Sequence, residues 1–231
     1  MIGSSGKPPA FHLLAREGLA LALPVIAPVL APVVCEGDAK GTPVLVFPGL
    51  LCSDAMTSRL RRSLEAVGFR AYGWKLGFNN GLRPGLLEDC ATRLDAVVKE
   101  CGRKAILVGW SLGGLYAREL AKRNPQQVRA VITMGSPFSG NLHGNNAWRV
   151  YEWLNDHRVD ELPIASDLGT KPPVPTIAIW SAQDGIVAPD AARGQLGEAD
   201  RTVEVHSTHM GMGVSAESLR TIVAIALSCT S

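Results

Sequence analysis

The sequence predicts an α/β fold, in which a mainly parallel sheet of about six strands is flanked by helices on both faces. Two observations predict it. Short apolar runs alternate along the chain with longer amphipathic stretches, and Gly, Pro or Asn stands at most junctions. Strands that are apolar on both faces need helices on each side, and strands joined through helices run parallel. With 231 residues, of which 46% are hydrophobic, the chain is long enough for one such domain.

The predicted strands are short and apolar, and the first ends at a Pro-Gly turn. We place the strands at residues 43–49, 69–74, 104–109, 128–135, 174–180 and 201–207. Amphipathic spacing and terminal residues predict the helices. These span residues 54–67 (with Asp54 as N-cap and Gly68 just past the end), 84–101 (stopped by Gly102), 111–123 and 215–227.

The N-terminal extension, residues 1–40, contains the apolar run "GLALALPVIAPVLAPVV" (18–34). Its prolines disfavour a straight spanning helix, and the run is shorter than the roughly 20 residues that a bilayer requires. No good signal-peptide cleavage site follows it. We therefore favour a helical and then extended segment that packs on the domain or on a partner. Peripheral contact with a membrane or lipid interface, and export, are the alternatives.

Composition excludes several classes of function. The formal net charge is +2 and no basic stripe is present, so nucleic acid is not an expected partner. No histidine and carboxylate residues have metal-ligand spacing, and we expect neither a metal nor a cofactor. The five cysteines include no C-x-x-C pair, and we interpret them as mostly reduced. These features favour a cytoplasmic protein over a secreted one.

A serine lies between two glycines where a predicted strand meets a predicted helix, in "KAILVGWSLGGLYAREL" (104–120). Gly109, Ser111 and Gly113 fit the pattern G-x-S-x-G in the strand-then-helix context that this motif requires. Glycine at both flanking positions removes side chains that would collide at so sharp a turn. The N-terminus of the following helix also favours negative charge near the serine. The stretch therefore predicts that Ser111 is a nucleophile.

Such a serine needs a base, and the base needs an orienting acid. Asp184 closely follows the fifth predicted strand and His209 follows the sixth, so both lie at carboxyl ends of strands. The chain order Ser111, Asp184, His209 is the order expected with this motif. Asp190, which we place in the next helix, is a weaker candidate for the acid. His206, at the strand end itself, is the rival base, and we expect it to bond to backbone instead.

Acyl-transfer chemistry also needs donors for an oxyanion. The backbone N–H of Leu112, directly after the nucleophile, should be one of them. The second should come from the loop after the first strand, where Gly49 allows a tight turn and Leu50 offers its N–H. Pro48 has no N–H to donate, and Leu51 is a substitute for Leu50.

Five stretches together resemble the α/β-hydrolase superfamily, close to its bacterial lipase/esterase-like branch. They are "VLVFPGLLCSD", "LVGWSLGGLYAREL", "RAVITMGSPFSG", "SAQDGIV" and "THMGMG", and the resemblance covers roughly residues 41–228. The chain departs from the family by lacking the first two antiparallel strands. It also has Pro48-Gly49 where lipases often have His-Gly.

The resemblance implies the α/β-hydrolase fold and ester hydrolysis through an acyl-enzyme, without a cofactor, on a small-molecule or lipid ester. Carried over residue by residue, Ser111 matches the nucleophile, Asp184 the acid and His209 the base. Leu50 and Leu112 match the donors of the oxyanion hole. A thioesterase or an acyltransferase would use the same catalytic triad, and a catalytically silent binding protein would keep only the fold.

Residues 137–172 contain no predicted strand, and Trp148, Tyr151 and Leu154 recur there at helical spacing. They fit either a helix whose aromatic side seals the core or a small lid-like insertion over an apolar acyl pocket. We expect the pocket to be lined by Leu50, Leu51, Trp110, Pro137, Phe138, Trp148 and Tyr151. The stretch "WKLGFNNGLRPG" (74–85) is interpreted as a turn, with a role in shaping the substrate entrance as the alternative.

Overall fold

A computed structural model describes residues 8–140, 146 and 167–230. Its centre is a six-stranded sheet in the order β2-β1-β3-β4-β5-β6, and every neighbouring pair is parallel. The strands are β1 (Pro43–Phe47), β2 (Arg70–Gly73), β3 (Ala105–Trp110), β4 (Val128–Met134), β5 (Thr176–Trp180) and β6 (Arg201–Glu204). The predicted parallel sheet, with its number of strands, is confirmed.

Seven helices accompany this sheet within the described ranges. They are α1 (Phe11–Ala20), α2 (Ala22–Ile26), α3 (Ser58–Glu65), α4 (Leu86–Cys101), α5 (Leu112–Arg123), α6 (Pro189–Arg193) and α7 (Ala216–Ser228). One apolar cluster joins the sheet to α4 and α5, and a second joins the opposite face to α3 and α7. Because both faces are covered, the central strands are buried along their whole length, which explains their uninterrupted apolar sequences.

The strand order places the loops that carry the predicted site residues at one edge of the sheet. The chain passes from β1 to the edge strand β2 and then returns to β3 on the other side of β1. Loops that leave neighbouring strands in opposite directions open a crevice at the carboxyl ends, and α/β sheets bind their ligands there. The loops that follow β1, β3, β5 and β6 carry the predicted site residues to this edge.

One predicted helix start is wrong. Helix α3 begins at Ser58, so Asp54 is not its N-cap. The carboxylate of Asp54 instead accepts hydrogen bonds from the backbone N–H groups of Trp74 and Lys75, each at 3.0 Å. An aspartate satisfies whichever backbone donors approach it, and here the end of β2 competes successfully with the helix.

The N-terminal segment packs along the domain. Arg62 of α3 donates hydrogen bonds to the carbonyl groups of Ala27, Pro28 and Leu30. The backbone N–H of Val33 donates to the hydroxyl of Ser63, also on α3, at 2.9 Å. Among the residues described, no helix combines the length and apolarity needed to cross a bilayer. All five cysteines are free thiols.

Candidate active site

Ser111 lies between β3 and α5, in a backbone conformation that side chains rarely adopt. Its φ is 54° and its ψ is −123°, and it is the N-cap residue of α5. A Cβ atom at Gly109 would overlap the backbone of the first turn of α5, and one at Gly113 would lie 2.5 Å from the carbonyl oxygen of Phe47. Both glycines of the motif are thus sterically required, and they fix a strained turn that presents the serine.

Asp184 and His209 form a buried pair. The Nδ1 atom of His209 lies 2.7 Å from Oδ2 of Asp184, and both side chains are almost fully buried. The other carboxylate oxygen of Asp184 accepts hydrogen bonds from the N–H groups of Ile186 and Val187, each at 2.8 Å. These bonds fix the orientation of the carboxylate, so it can select the tautomer of His209 that has its proton on Nδ1.

The environment of His209 favours its protonated form. Burial on its own lowers the pKa of His209, but the charge of Asp184, the hydrogen bond to it and the charge of Glu17 outweigh this effect. The pKa of His209 is therefore raised above its usual value. A base of this kind is well suited to accept a proton from a hydroxyl group and to hold it briefly.

The rival residues lie in other surroundings. His206 is exposed, and its Nδ1 atom lies 3.1 Å from a carboxylate oxygen of Glu217 on α7. Asp190 lies in α6, as predicted, and pairs with Arg193 at the surface. Ser111 and His209 line one cavity, and neither rival lines it. The geometry therefore groups His209 and Asp184 with the serine.

The loop after β1 lies directly against the serine. A Cβ atom at Gly49 would be 3.2 Å from the Cβ of Ser111. The N–H groups of Leu50 and Leu112 have no hydrogen-bond acceptor within the described part of the chain. The N–H of Leu51 donates to the carbonyl oxygen of Asn79 at 2.7 Å, so Leu51 cannot replace Leu50 as a donor. Free N–H groups on both sides of the serine suit an oxyanion hole.

Asn79 fixes this loop, a role that the sequence analysis missed. It is fully buried, and its amide group donates to the carbonyl oxygen of Pro48 at 2.8 Å. Its side-chain oxygen accepts from the hydroxyl of Tyr116 at 3.1 Å, and its backbone N–H donates to the carbonyl oxygen of Cys52 at 2.9 Å. The stretch 74–85 is therefore more than a turn, since Asn79 ties it to the loop that carries Leu50.

Gly135, at the end of β4, makes room for the acid and base. Its φ is +54°, and a Cβ atom there would lie 3.0 Å from Oδ2 of Asp184 and 3.1 Å from Nδ1 of His209. The predicted strand ended at this glycine, but nothing in the local pattern marked it as a neighbour of the pair. Only the pairing of β4 with β5 brings Gly135 beside the loop that follows β5.

A cavity of about 390 Å³ opens at the serine, within the usual range for small-molecule sites. The predicted pocket residues Leu50, Leu51 and Trp110 line it. Further walls come from the N-terminal segment, which the sequence analysis did not place there: Leu14, Leu21, Pro24 and Val25. The lining is almost entirely apolar. The predicted residues Trp148 and Tyr151 lie outside the described part of the chain.

Pro137 and Phe138, by contrast, do not line the cavity. The ring of Phe138 is buried in the core, with the guanidinium of Arg118 4.0 Å from its centroid. Burial lowers the pKa of Arg118 to about 10, and this side chain also donates hydrogen bonds to the carbonyl groups of Leu168 and Gly169. Phe138 packs against Arg118 of α5 in the core and does not reach the cavity, so the pocket prediction for Phe138 is wrong.

Cys52 is the one cysteine in the lining of this cavity. Burial raises the pKa of its thiol to about 12, so the thiol stays protonated at neutral pH. A protonated thiol is a poor nucleophile and behaves as a small apolar side chain. Cys52 therefore adds to the apolar wall and does not compete with Ser111.

Comparisons with known proteins agree with this architecture. A family model described as the alpha/beta hydrolase fold matches residues 88–165. The carboxylesterase EstE1, cloned from a metagenomic library, has a similar structure with a TM-score of 0.63 at 12% identity, and 100% of this chain and 99% of that chain are covered. These comparisons show the α/β-hydrolase fold for this chain.

Curated relatives match short stretches of the sequence. A pimeloyl-[acyl-carrier protein] methyl ester esterase from Shewanella woodyi is 46% identical over 43 residues, which are 19% of this chain and 17% of the relative. The protein of the same name from Vibrio campbellii is 40% identical over 62 residues, which are 27% of this chain and 24% of the relative. The chain thus spans a quarter or less of the length of these relatives.

Proposed function

We propose that the chain is a serine hydrolase that cleaves carboxylic esters through an acyl-enzyme intermediate. The observation that carries this proposal is the buried Asp184–His209 pair, whose histidine shares one apolar cavity with the strained Ser111. These three side chains come from separate loops at one edge of the sheet. Together they supply the nucleophile, the base and the acid that nucleophilic acyl transfer requires.

The mechanism follows from these positions. His209, held in one tautomer by Asp184, takes the hydroxyl proton of Ser111 as the serine oxygen bonds to the ester carbonyl carbon. The N–H groups of Leu50 and Leu112 stabilise the negative charge on the carbonyl oxygen. His209 then returns the proton to the departing alcohol. Water repeats the sequence on the acyl-serine and releases a carboxylic acid.

The cavity indicates the substrate class. Its walls are apolar on the side of β1 and β3 and also on the side of the N-terminal segment. A cavity of this volume and lining accepts an apolar acyl chain and offers few partners to a charged one. We therefore propose lipase- or esterase-like activity on esters with apolar acyl groups.

The decisive experiment is hydrolysis of p-nitrophenyl esters of graded chain length by the wild type and by Ser111→Ala. The substitution is expected to lower kcat on the order of 10⁶-fold, as in comparable triads. A fluorophosphonate probe should label the wild type and fail to label Ser111→Ala. Labelling in both proteins, or full activity in the variant, would exclude Ser111 as the nucleophile. A binding protein without catalysis would give no labelling in either.

A thioester substrate is the second candidate. The curated relatives are named for an ester carried on an acyl-carrier protein, and the same serine, acid and base would serve a thioesterase or an acyltransferase. Matched acyl groups presented as a p-nitrophenyl ester, a methyl ester and a thioester would rank the leaving groups. Acyl transfer to added alcohols would identify an acyltransferase.

We also propose that the enzyme meets its substrate at a lipid interface. Large apolar side chains are exposed along the N-terminal segment, at Phe11, Leu19, Leu21, Val25 and Val29. Leu21 and Val25 also line the cavity, so the exposed apolar face continues into the site. Activity should rise when a long-chain substrate forms an emulsion, and Phe11→Ser with Leu19→Ser should remove that rise while hydrolysis of a soluble ester is kept.

A further inference from the structure

Glu17 on α1 is a buried carboxylate that the mechanism above does not use. Its side chain lies in the interior, with the residue only 2% exposed. No cation pairs with it in the described part of the chain, and its neighbour Arg16 instead contacts Gln183. Burying an unpaired charge is costly unless hydrogen bonds compensate for it.

Backbone donors from the catalytic loops compensate for this charge. One oxygen of Glu17 accepts from the N–H groups of Gly185 at 2.9 Å and of His209 at 2.6 Å. The other oxygen accepts from the N–H of Met210 at 3.0 Å. Gly185 directly follows Asp184, so one carboxylate joins the loop of the acid to the loop of the base.

The neighbouring contacts show that α1 docks closely at this point. A Cβ atom at Gly185 would overlap the carbonyl group of Leu13 on α1, so glycine is needed for the approach. The amide of Asn146 donates to the carbonyl oxygens of both Gly185, at 2.7 Å, and Pro9, at 3.3 Å. The helix is therefore held to the acid loop from several directions.

We propose that Glu17 is a positioning residue, which docks α1 on the loops of Asp184 and His209 and so makes the N-terminal segment part of the active site. This inference rests on the serine-hydrolase function proposed above. The same docking brings Leu14, Leu21 and Val25 to the cavity, so Glu17 aligns the base and also seats the wall that contacts the acyl chain. Groups held by their neighbours within a fraction of an ångström gain most of their catalytic advantage from that alignment.

Glu17 also acts on the base through its charge. The charged groups that face His209 are Asp184 and Glu17, and the ring of Trp110 lies 6.0 Å from the imidazole. His209 must be neutral to accept the serine proton. The fall of kcat/KM at low pH, which is the acidic limb of its pH profile, therefore follows the pKa of His209. The charge of Glu17 raises that pKa, and its removal must therefore shift the limb to lower pH.

The test compares Glu17→Gln and Glu17→Asp with the wild type on a p-nitrophenyl ester across the pH range. In Glu17→Gln we expect kcat to fall about tenfold or more, KM to change much less, and the acidic limb to shift to lower pH. Glu17→Asp keeps the charge but shortens the side chain, so its limb should stay close to that of the wild type while kcat falls. Glu36→Gln removes an exposed carboxylate from the same segment and should change neither quantity.

Two results would overturn the proposal. One is a folded Glu17→Gln protein with the wild-type kcat and pH limb; the other is an equal limb shift in Glu36→Gln. If Glu17→Gln does not fold, Gly185→Ala tests the proposal instead. The added methyl group forces α1 away from the acid loop while Glu17 is kept. Wild-type kcat in Gly185→Ala would contradict the proposal. Fluorophosphonate labelling of the wild type separates the two proposals. Without labelling the serine-hydrolase function fails, and Glu17 is then judged by whether Glu17→Gln lowers the pKa of His209 in an NMR titration.

Discussion

The two walls of the cavity differ in how they are built. One wall, with Gly49, Trp110 and Ser111, grows from β1 and β3, whose residues are buried on both faces of the sheet. The other wall comes from the N-terminal segment, where Leu21 is 57% exposed and Val25 is 62% exposed. Arg62 and Asn146 donate hydrogen bonds to carbonyl groups of the N-terminal segment, and Glu17 of this segment accepts one from the N–H of His209.

This difference separates chemistry from substrate selection. The proposed nucleophile Ser111 belongs to the wall built on the central strands, and a large part of the surface proposed for the acyl chain belongs to the N-terminal segment, whose apolar side chains are partly exposed. Segments with few buried apolar contacts open locally at a lower free energy than the core does. Changes in the first wall should therefore alter kcat strongly. Changes to side chains of the second wall that only line the cavity, such as Leu21 and Val25, should alter which esters are accepted.

The largest effect is expected at the acid. Asp184→Asn keeps the shape of the side chain but removes the charge that stabilises protonated His209, and an amide nitrogen can then face Nδ1. We expect kcat to fall on the order of 10⁴-fold with the fold retained. Steady-state kinetics and circular dichroism would measure both. Asp190→Asn, at an exposed aspartate of α6, is the matched control, and a comparable loss there would contradict this prediction.

The next effect is expected at Asn79, which holds the loop of Leu50. Asn79→Ala removes the donor to Pro48 and the acceptor of Tyr116, so the N–H of Leu50 should lose its alignment. We expect a loss of kcat on the order of 10²-fold and a fall of about 1–3 kcal/mol in the free energy of unfolding. Asn79→Asp keeps only the acceptor for Tyr116, and its kcat should lie between those of the wild type and Asn79→Ala. If both variants retain full kcat, the loop does not depend on Asn79.

A smaller effect is expected at Gly135. An alanine there brings a methyl group against Asp184 and His209 in a backbone conformation that disfavours side chains. We expect kcat to fall about tenfold through displacement of the pair. Gly102→Ala has a similar φ with no atom near the new methyl group, so it should lose stability without losing kcat. Equal losses of kcat in both variants would mean that backbone strain alone is responsible.

The smallest effect on rate, and the clearest on selectivity, is expected at the N-terminal wall. Val25→Trp should fill part of the cavity and lower kcat/KM for long acyl chains roughly fivefold, while acetyl esters are hydrolysed as before. Leu19→Trp is the control, because it also introduces a tryptophan but at a residue that is 88% exposed and does not line the cavity. A uniform loss across all chain lengths would show that Val25 does not contact the acyl group.

The sequence predicts the sheet-side wall well because the relevant signals are local. Gly109, Ser111 and Gly113 lie within one turn, and the steric demand of that turn is readable from neighbouring residues. Asp184 and His209 follow from the order of strands alone. Their roles stay proposals, but their meeting point is what the topology requires.

The other wall could not be predicted in this way. Glu17 contacts residues that lie 168 to 193 positions later, and no periodicity or motif encodes such a contact. The predictions for Asp54 and Phe138 were wrong for a related reason. Asp54 bonds to the backbone at the end of β2, and Phe138 packs on the guanidinium of Arg118, so each side chain has a partner that is distant in the sequence. Local sequence patterns do not predict the long-range hydrogen bonds that buried polar groups make in this fold.

The contacts of Glu17 also bear on the order in which the protein can be assembled. During synthesis α1 leaves the ribosome well before His209 and Met210, so it can dock on them only after those residues have emerged. This docking of the N-terminal segment is therefore not available until the loop of His209 has been made. A nascent chain that lacks this loop consequently has an open cavity and an undocked α1, and the N-terminal wall is completed only after the loop has formed.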